Sequence, residues 1–406
     1  MYVVSQEKVK PSIRIARLLA RGNKHLYYIA RLMLSRMGKL IDRLTRARTV
    51  GYYNAIAKEI DFDPLTLSEY VKKLAKIGIR FTIDLNLLRI GLIEYVTYIP
   101  GKVIDYTDLS ISCNWIRSHS ITYSPKGTFI TFNIPFRLKE ELAHIISSEI
   151  KKIGVDKFHS FFLVTTRKQP SFIKYSLEFH PLFTGYRYKV LEEYFREAEF
   201  VSGIEKDLLD ASSLSKLVKE PRDLLDLIIL KELEKDAFSG LLAVHETYGY
   251  ERWRIKRHLI KHIVEEGVIS GIFAKGGVFV RAFGSPIILI LYVRGKDELR
   301  RWYFFFNQLE NVAYIGYDPF SSRKHVVSVV LYRGLRGLES LKHFLVVKLR
   351  EGLLEDYIAI DYLVHAIKRF TIPYMGYYQD AKRWDVDIDK THMLFERRVL
   401  RRTRRG

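Results

Sequence analysis

The sequence predicts an α+β protein: two winged helix-turn-helix domains, each followed by a ferredoxin-like βαββαβ sandwich domain. Three observations lead there. Residues 55–92 and 239–284 share one order of patterns: a short helix, a tight turn, a second helix and a β-rich return. Gly78 closes the second helix of the first stretch and Gly267 that of the second, as helix-ending glycines do. After each stretch, apolar runs and amphipathic segments follow in the order β-α-β-β-α-β, which describes a ferredoxin-like unit.

The elements of the first half can be justified in turn. Apolar residues recur at helical spacing through Pro11–Arg48, with Arg and Lys between them, and the Leu32–Leu44 part is expected to lead the first helical core. Asp63 is a suitable N-cap and Pro64 suits a first helical turn. Leu67, Val71 and Leu74 then form a buried stripe, leaving Thr66, Ser68, Glu69, Lys72 and Lys73 outside. On a recognition helix, short hydroxyl side chains reach base edges and lysines reach phosphates. Arg80 and Thr82 are expected to open the wing. Next come a strand over Gly91–Val103, a helix over Asp108–Ser118, a hairpin turning at Pro125-Lys126-Gly127, a helix over Leu138–Gly154 and a strand over Lys157–Thr166.

A Ser-containing stretch around Ala211–Ser215 reads as a linker. Beyond it, Tyr250–Glu266 is the second candidate recognition helix, crowded with Arg252, Arg254, Lys256, Arg257, His258 and Lys261. Its wing is placed over Ile269–Phe283 with Lys275 at the turn, and the second β-α-β-β-α-β series runs from Pro286 to His365. The expected organisation is a basic extension (1–34), winged helix 1 (35–91), ferredoxin-like domain 1 (92–200), linker (201–221), winged helix 2 (222–285), ferredoxin-like domain 2 (286–381) and a basic tail (382–406).

Net charge is +21 over 406 residues. Residues 1–50 supply +10 of it and residues 382–406 a further +5, so a mildly basic body carries two cationic ends. That distribution suits a polyanion, nucleic acid before membrane. The single cysteine, Cys113, excludes a disulfide framework and a thiolate metal site within one chain. No stretch reads as a signal peptide, and Pro286–Val293, the longest apolar run, is too short to span a bilayer, so a cytoplasmic, nucleoid-associated protein is expected.

Enzyme signatures for phosphate loops, zinc proteases and serine hydrolases are missing from the sequence, and neither an enzymatic activity nor a cofactor is expected. His258 and His262 have the i, i+4 spacing of a helical metal pair, but no third ligand stands near them in sequence, so no metal is assigned. Asp385, Asp387 and Asp389 lack the glycine and closing glutamate of a calcium loop. The aromatic run Trp302–Phe306 reads as core, and Tyr374, Tyr377 and Tyr378 as exposed platforms on which bases stack. Arg401, Arg402, Arg404 and Arg405 of the tail add salt-sensitive phosphate affinity.

The stretch "IAKEIDFDPLTLSEYVKKLAKIGI" and the "NLLRIGL" that follows it resemble the Lrp/AsnC, or feast/famine, family of prokaryotic transcription regulators. The resemblance covers roughly residues 35–166 and 222–368. It implies DNA binding through Thr66, Ser68, Lys72 and Lys73, with sandwich domains pairing across their sheets. Because one chain carries both copies, the expectation is a covalent pseudo-dimer that binds double-stranded DNA at an asymmetric site, as a transcription regulator or chromatin organiser. An RNA- or ribosome-associated factor is the alternative. Homo-oligomers through the sandwich domains fit the family; its glycine-containing effector motif is not found in this sequence.

Overall fold

A computed structural model describes residues 36–109, 112–168, 187–204, 210–276, 285–321, 324–333, 338–363, 367–378 and 380–385. The first half opens with helices α1 (Arg36–Leu44), α2 (Tyr53–Glu59) and α3 (Pro64–Lys76), then strand β1 (Arg80–Leu85). Asp63 caps α3 by accepting from the Thr66 amide at 2.7 Å, with Pro64 in the first turn. Leu67, Val71 and Leu74 are the buried face. Replacing Asp63 by Ala removes this cap and is expected to destabilise the protein, read from a urea midpoint that falls at constant slope.

Strands β2 (Leu92–Pro100), β3 (Ile116–Ser124) and β4 (Lys126–Pro135), helix α4 (Lys139–Lys152) and strand β5 (His159–Arg167) follow. The helix expected over 108–118 is absent: that stretch holds short 3-10 turns at Tyr106–Asp108 and Ser112–Trp115 and the start of β3. Helices α5 (Tyr188–Ile204) and α6 (Ala211–Ser215) come next, so the expected linker is itself partly helical.

The second half repeats the order. Helices α7 (Leu224–Lys235), α8 (Gly240–Tyr248) and α9 (Arg252–His258) lead, and α9 continues as a π-helical turn over Leu259–Val264. Strands β6 (Ile269–Lys275) and β7 (Pro286–Val293), helix α10 (Lys296–Gln308), strands β8 (Val312–Tyr317) and β9 (His325–Tyr332), helix α11 (Glu339–Arg350) and strand β10 (Asp356–Tyr362) complete it. Short strands β11 (Lys368–Arg369), β12 (Tyr377–Tyr378) and β13 (Arg383–Trp384) close the described chain.

Strand pairing overturns the expected fold class. The strands do not form two separate sandwiches. The sheet runs β10-β7-β9-β8-β5-β2-β4-β3, and β10 pairs back onto β3, closing an eight-stranded antiparallel barrel. The halves join edge to edge: Val164–Arg167 of β5 lies against Tyr314–Tyr317 of β8, and Asp361 and Tyr362 of β10 against Ser124 and Thr122 of β3. Closure leaves no barrel strand with an open edge, which removes the usual liability of an antiparallel sheet. The winged helices are corrected for a related reason. Among the described residues β1 pairs only with β6, Arg80 opposite Lys275, so the two return strands make one shared ribbon in place of two wings.

Three apolar cores follow from this topology. Strands β2 and β7 are apolar almost without alternation because both faces are covered, the barrel interior on one side and helices on the other. Inside sit Val96, Tyr98, Phe161, Ile288, Ile290 and Ile360. Outside, Ile93 and Ile99 pack in one core with Leu142, Ile146 and Ile150 of α4, while Leu289 and Leu291 pack with Trp302, Phe305 and Phe344. The aromatic run on α10 is thus core: the Trp302 ring lies 4.8 Å from that of Phe195, tilted by 58°, and donates to the Leu353 carbonyl at 2.9 Å. Tyr377, expected as an exposed platform, is buried and donates to the Pro221 carbonyl at 2.5 Å.

Candidate functional site

Strand alternation decides which side chains enter the barrel. Val96 and Tyr98 face inward, so Glu94 does too, with Asn133 directly opposite it on β4. On β5, Phe161 and Leu163 face inward, hence Thr165 and Arg167 as well, and Arg167 lies opposite Tyr314 of β8. The apolar layer fills the middle of the barrel, as expected for eight strands. The polar layer of Glu94, Asn133, Tyr314 and Arg167 forms the mouth next to the β1–β6 ribbon.

Further charges converge on this mouth from the ribbon, from α7 and from β11. Arg167 pairs with Asp84 of β1 at 3.1 Å, and Ser270 of β6 donates to the same carboxylate at 2.6 Å. Arg117 of β3 grips Glu234 of α7 through both terminal nitrogens, at 2.5 and 3.2 Å. The Ile372 amide donates to Glu234 at 3.0 Å, and Lys275 Nζ donates to the Glu234 carbonyl at 3.0 Å. Arg369 completes the group. It is solvent-exposed, yet surrounding protein and then the charge of Arg167 hold its guanidinium below its ordinary value. These charged side chains together border the barrel mouth, and the ground they enclose is the recess.

The electrostatics of the recess are unbalanced. Arg117, Arg167, Lys275 and Arg369 face Asp84, Glu94 and Glu234. Burial pushes both Asp84 and Glu94 up, against the lowering influence of Arg167 and Arg117, so the negative side is the weaker one. Burial, then the charge of Arg167, brings Lys275 down to about 8, with Arg369 and Arg117 pushing the same way. The Tyr314 hydroxyl is buried beside Glu94 and held well above its usual range, first by burial and then by that carboxylate. The Tyr314 hydroxyl is hydrogen-bonded to Glu94 and Thr165, whereas the Asn133 amide finds no hydrogen-bond partner among the described residues. An orphaned buried polar group costs about 1–3 kcal/mol, so the Asn133 amide beside these charges favours a ligand that satisfies it.

Most of the residues expected to touch DNA lie elsewhere. Lys72, Lys73 and Arg80 are exposed, Thr66 and Ser68 half-exposed, and Glu69 is paired with Lys73 at 3.3 Å. Arg252, Arg257 and Lys261 are exposed on the second helix, whereas Arg254 reaches Asp223 at 3.7 Å. His258 turns inward onto Asp226 at 2.8 Å and Lys275 turns into the recess, so neither stands on a surface that meets a duplex. Arg401, Arg402, Arg404 and Arg405 lie outside the described residues. Sequence reasoning missed Asp84, Glu94, Arg117, Arg167, Glu234 and Arg369. The available signal was a charged residue inside an otherwise apolar strand, as Glu94 is in Leu92–Pro100.

No protein-family profile matches the chain, and no curated protein matches it. Among solved structures it is similar to the siroheme decarboxylase NirDL, at 12% identity over 89% of this chain and 100% of that one, with a TM-score of 0.47. It is also similar to NirDL in co-complex with an iron-uroporphyrin III analogue, at 12% identity over 84% and 93% of the two chains and a TM-score of 0.44. The expected winged-helix and sandwich units are corrected by the closed barrel and the shared β1–β6 ribbon, and where no enzymatic activity was expected, both similar structures carry the name of an enzyme. The likeness to the Lrp/AsnC family holds for the broad fold alone, as helices followed by antiparallel strands in each half. No helix among the described residues is long and apolar enough to cross a membrane.

Proposed function

We infer that the protein binds an organic polycarboxylate in the recess at the barrel mouth and exchanges a proton with it through Lys275. The convergence of positive charge at the barrel mouth carries this reading. Arg369 offers a planar donor fork that matches a carboxylate, Arg167 keeps its terminal nitrogens beside its bond to Asp84, and Lys275 offers a point charge, while the Arg117 fork is held by Glu234. An anion there relieves the mutual repulsion that lowers Lys275 and Arg369. The amide of Asn133 supplies neutral hydrogen bonds beside it. With a pKa of about 8, Lys275 holds both its forms near neutral pH, which suits general acid–base work on a bound substrate.

Isothermal titration of the full chain tests the reading. Citrate is the small probe, and iron-uroporphyrin III, whose analogue is named for one similar structure, is the extended one. Saturable binding of either is expected, weakened at least tenfold by Arg369→Gln, an exposed site whose change leaves the barrel intact. Duplex DNA is the comparison ligand. Binding of DNA that depends on Lys72 and Lys73, with neither carboxylate bound, would overturn the reading.

A further inference from the structure

Helix α9 and its π-helical continuation lie against α7, and one contact between them does more than pack. Asp226 of α7 is 4% exposed. Its Oδ1 lies 2.8 Å from Nδ1 of His258 and 3.1 Å from Nδ1 of His262, and its Oδ2 is also 3.1 Å from Nδ1 of His262. The three ligand atoms all fall within 4.8 Å of one another, and the imidazole rings sit edge to face with centroids 4.6 Å apart. The third ligand that the sequence did not reveal is therefore supplied by a facing helix.

We propose that Asp226, His258 and His262 bind one divalent first-row transition metal ion. Ligand atoms that share such an ion at bonds of about 2.0–2.2 Å sit roughly 3 Å apart, which is the spacing of Asp226 Oδ1 from both imidazole nitrogens. Two imidazoles and one carboxylate suit zinc, cobalt, nickel or ferrous iron, whereas magnesium and calcium call for oxygen ligands. The proton balance is simple. Each neutral imidazole moves its proton from Nδ1 to Nε2 and presents the Nδ1 lone pair, so Asp226 exchanges two hydrogen bonds for one metal bond.

Two independent features point the same way. His262 lies within a π-helical turn, a rare form that concentrates at functional sites, and this turn keeps it beside His258 over the same carboxylate. The His262 side chain retains 21% of its accessible surface, against 11% for His258, which leaves an approach for the ion and for water at the remaining positions. Asp226 and Glu234 are eight residues apart on α7, about 12 Å along the axis, so the metal site stands apart from the carboxylate recess.

The test uses the full chain, stripped with a chelator and dialysed against Zn²⁺ or Co²⁺. One equivalent of either ion is expected to bind, with Co²⁺ giving visible d–d absorption. The half-buried His262 is the position to change, because substituting buried His258 risks the fold. His262→Gln is expected to weaken binding more than tenfold with an unchanged circular dichroism spectrum, while His144→Gln, an exposed position on α4, changes nothing. Substoichiometric uptake, or uptake that survives His262→Gln, would overturn the proposal and reduce the trio to a helix-to-helix hydrogen-bond bridge.

Discussion

Substituting Arg117 by Met is expected to lower folding stability by about 3–5 kcal/mol, the loss that follows when one partner of a buried ion pair is removed. The Glu234 side chain is only 3% exposed and Arg117 19%, so no water replaces the lost guanidinium. The pair also does long-range work. It ties β3 to the end of α7 across 117 residues, and the same guanidinium donates at 2.5 Å to the Phe370 carbonyl, 253 residues away. Urea unfolding reads the effect as a fall in midpoint at constant slope. A second variant separates charge from packing. Adding Glu234→Gln removes the stranded carboxylate and is expected to recover more than half of the loss, since the Gln carbonyl still accepts from the Ile372 amide. A loss below 1 kcal/mol for Arg117→Met would mean that the pair is weaker than its burial implies.

Local elements were legible in the sequence and their assembly was not. Asp63, Pro64 and the Leu67, Val71, Leu74 stripe locate α3 because capping and periodicity act within a few residues. The turn between β3 and β4 falls at Pro125 for the same reason. Barrel closure has no such signal. It rests on β5 meeting β8 and β10 meeting β3, pairings of strands far apart in the chain, and an unpaired edge of a βαββαβ unit reads identically whether it joins another edge or faces solvent. The winged-helix expectation failed on the same point. A β-rich return after a helix implies a wing, and only the register of Arg80 with Lys275 reveals a ribbon shared between halves.

The recess was harder still to foresee. Its charges come from β1, β2, β3, β5, β6, α7 and β11, so no spacing motif links Asp84 to Arg369. Composition drew attention to the cationic ends of the chain, although the informative cations are Arg117, Arg167 and Lys275, held inside. Two kinds of positive charge therefore coexist. Exposed lysines such as Lys72 and Lys73 are screened by salt and contribute little beyond solubility. Lys275 and Arg369, each lowered by burial and then by the charge of Arg167, are costly to keep charged without an anion to bind, and that cost is the physical ground for assigning the recess a ligand.

Lys275→Met is accordingly expected to weaken carboxylate binding about 100-fold at pH 7, the scale of one charge-assisted hydrogen bond lost from a desolvated site. The pH dependence gives a sharper result. In the free protein Lys275 is protonated below about 8 and neutral above it. A bound anion favours the ammonium form and raises that value, so affinity is full below pH 8 and declines by up to tenfold per pH unit above it. Folding stability follows the opposite sign. The folded protein disfavours the charged lysine relative to the unfolded chain, whose ordinary value is 10.5, so this residue's contribution to stability rises as pH climbs from about 8 toward 10.5. Titrating citrate into the wild type and Lys275→Met at pH 7, 8 and 9 separates the cases. A pH step present in the wild type and missing in the variant assigns the titrating charge to Lys275. An identical step in both places that charge on another group and removes Lys275 from proton exchange with the ligand.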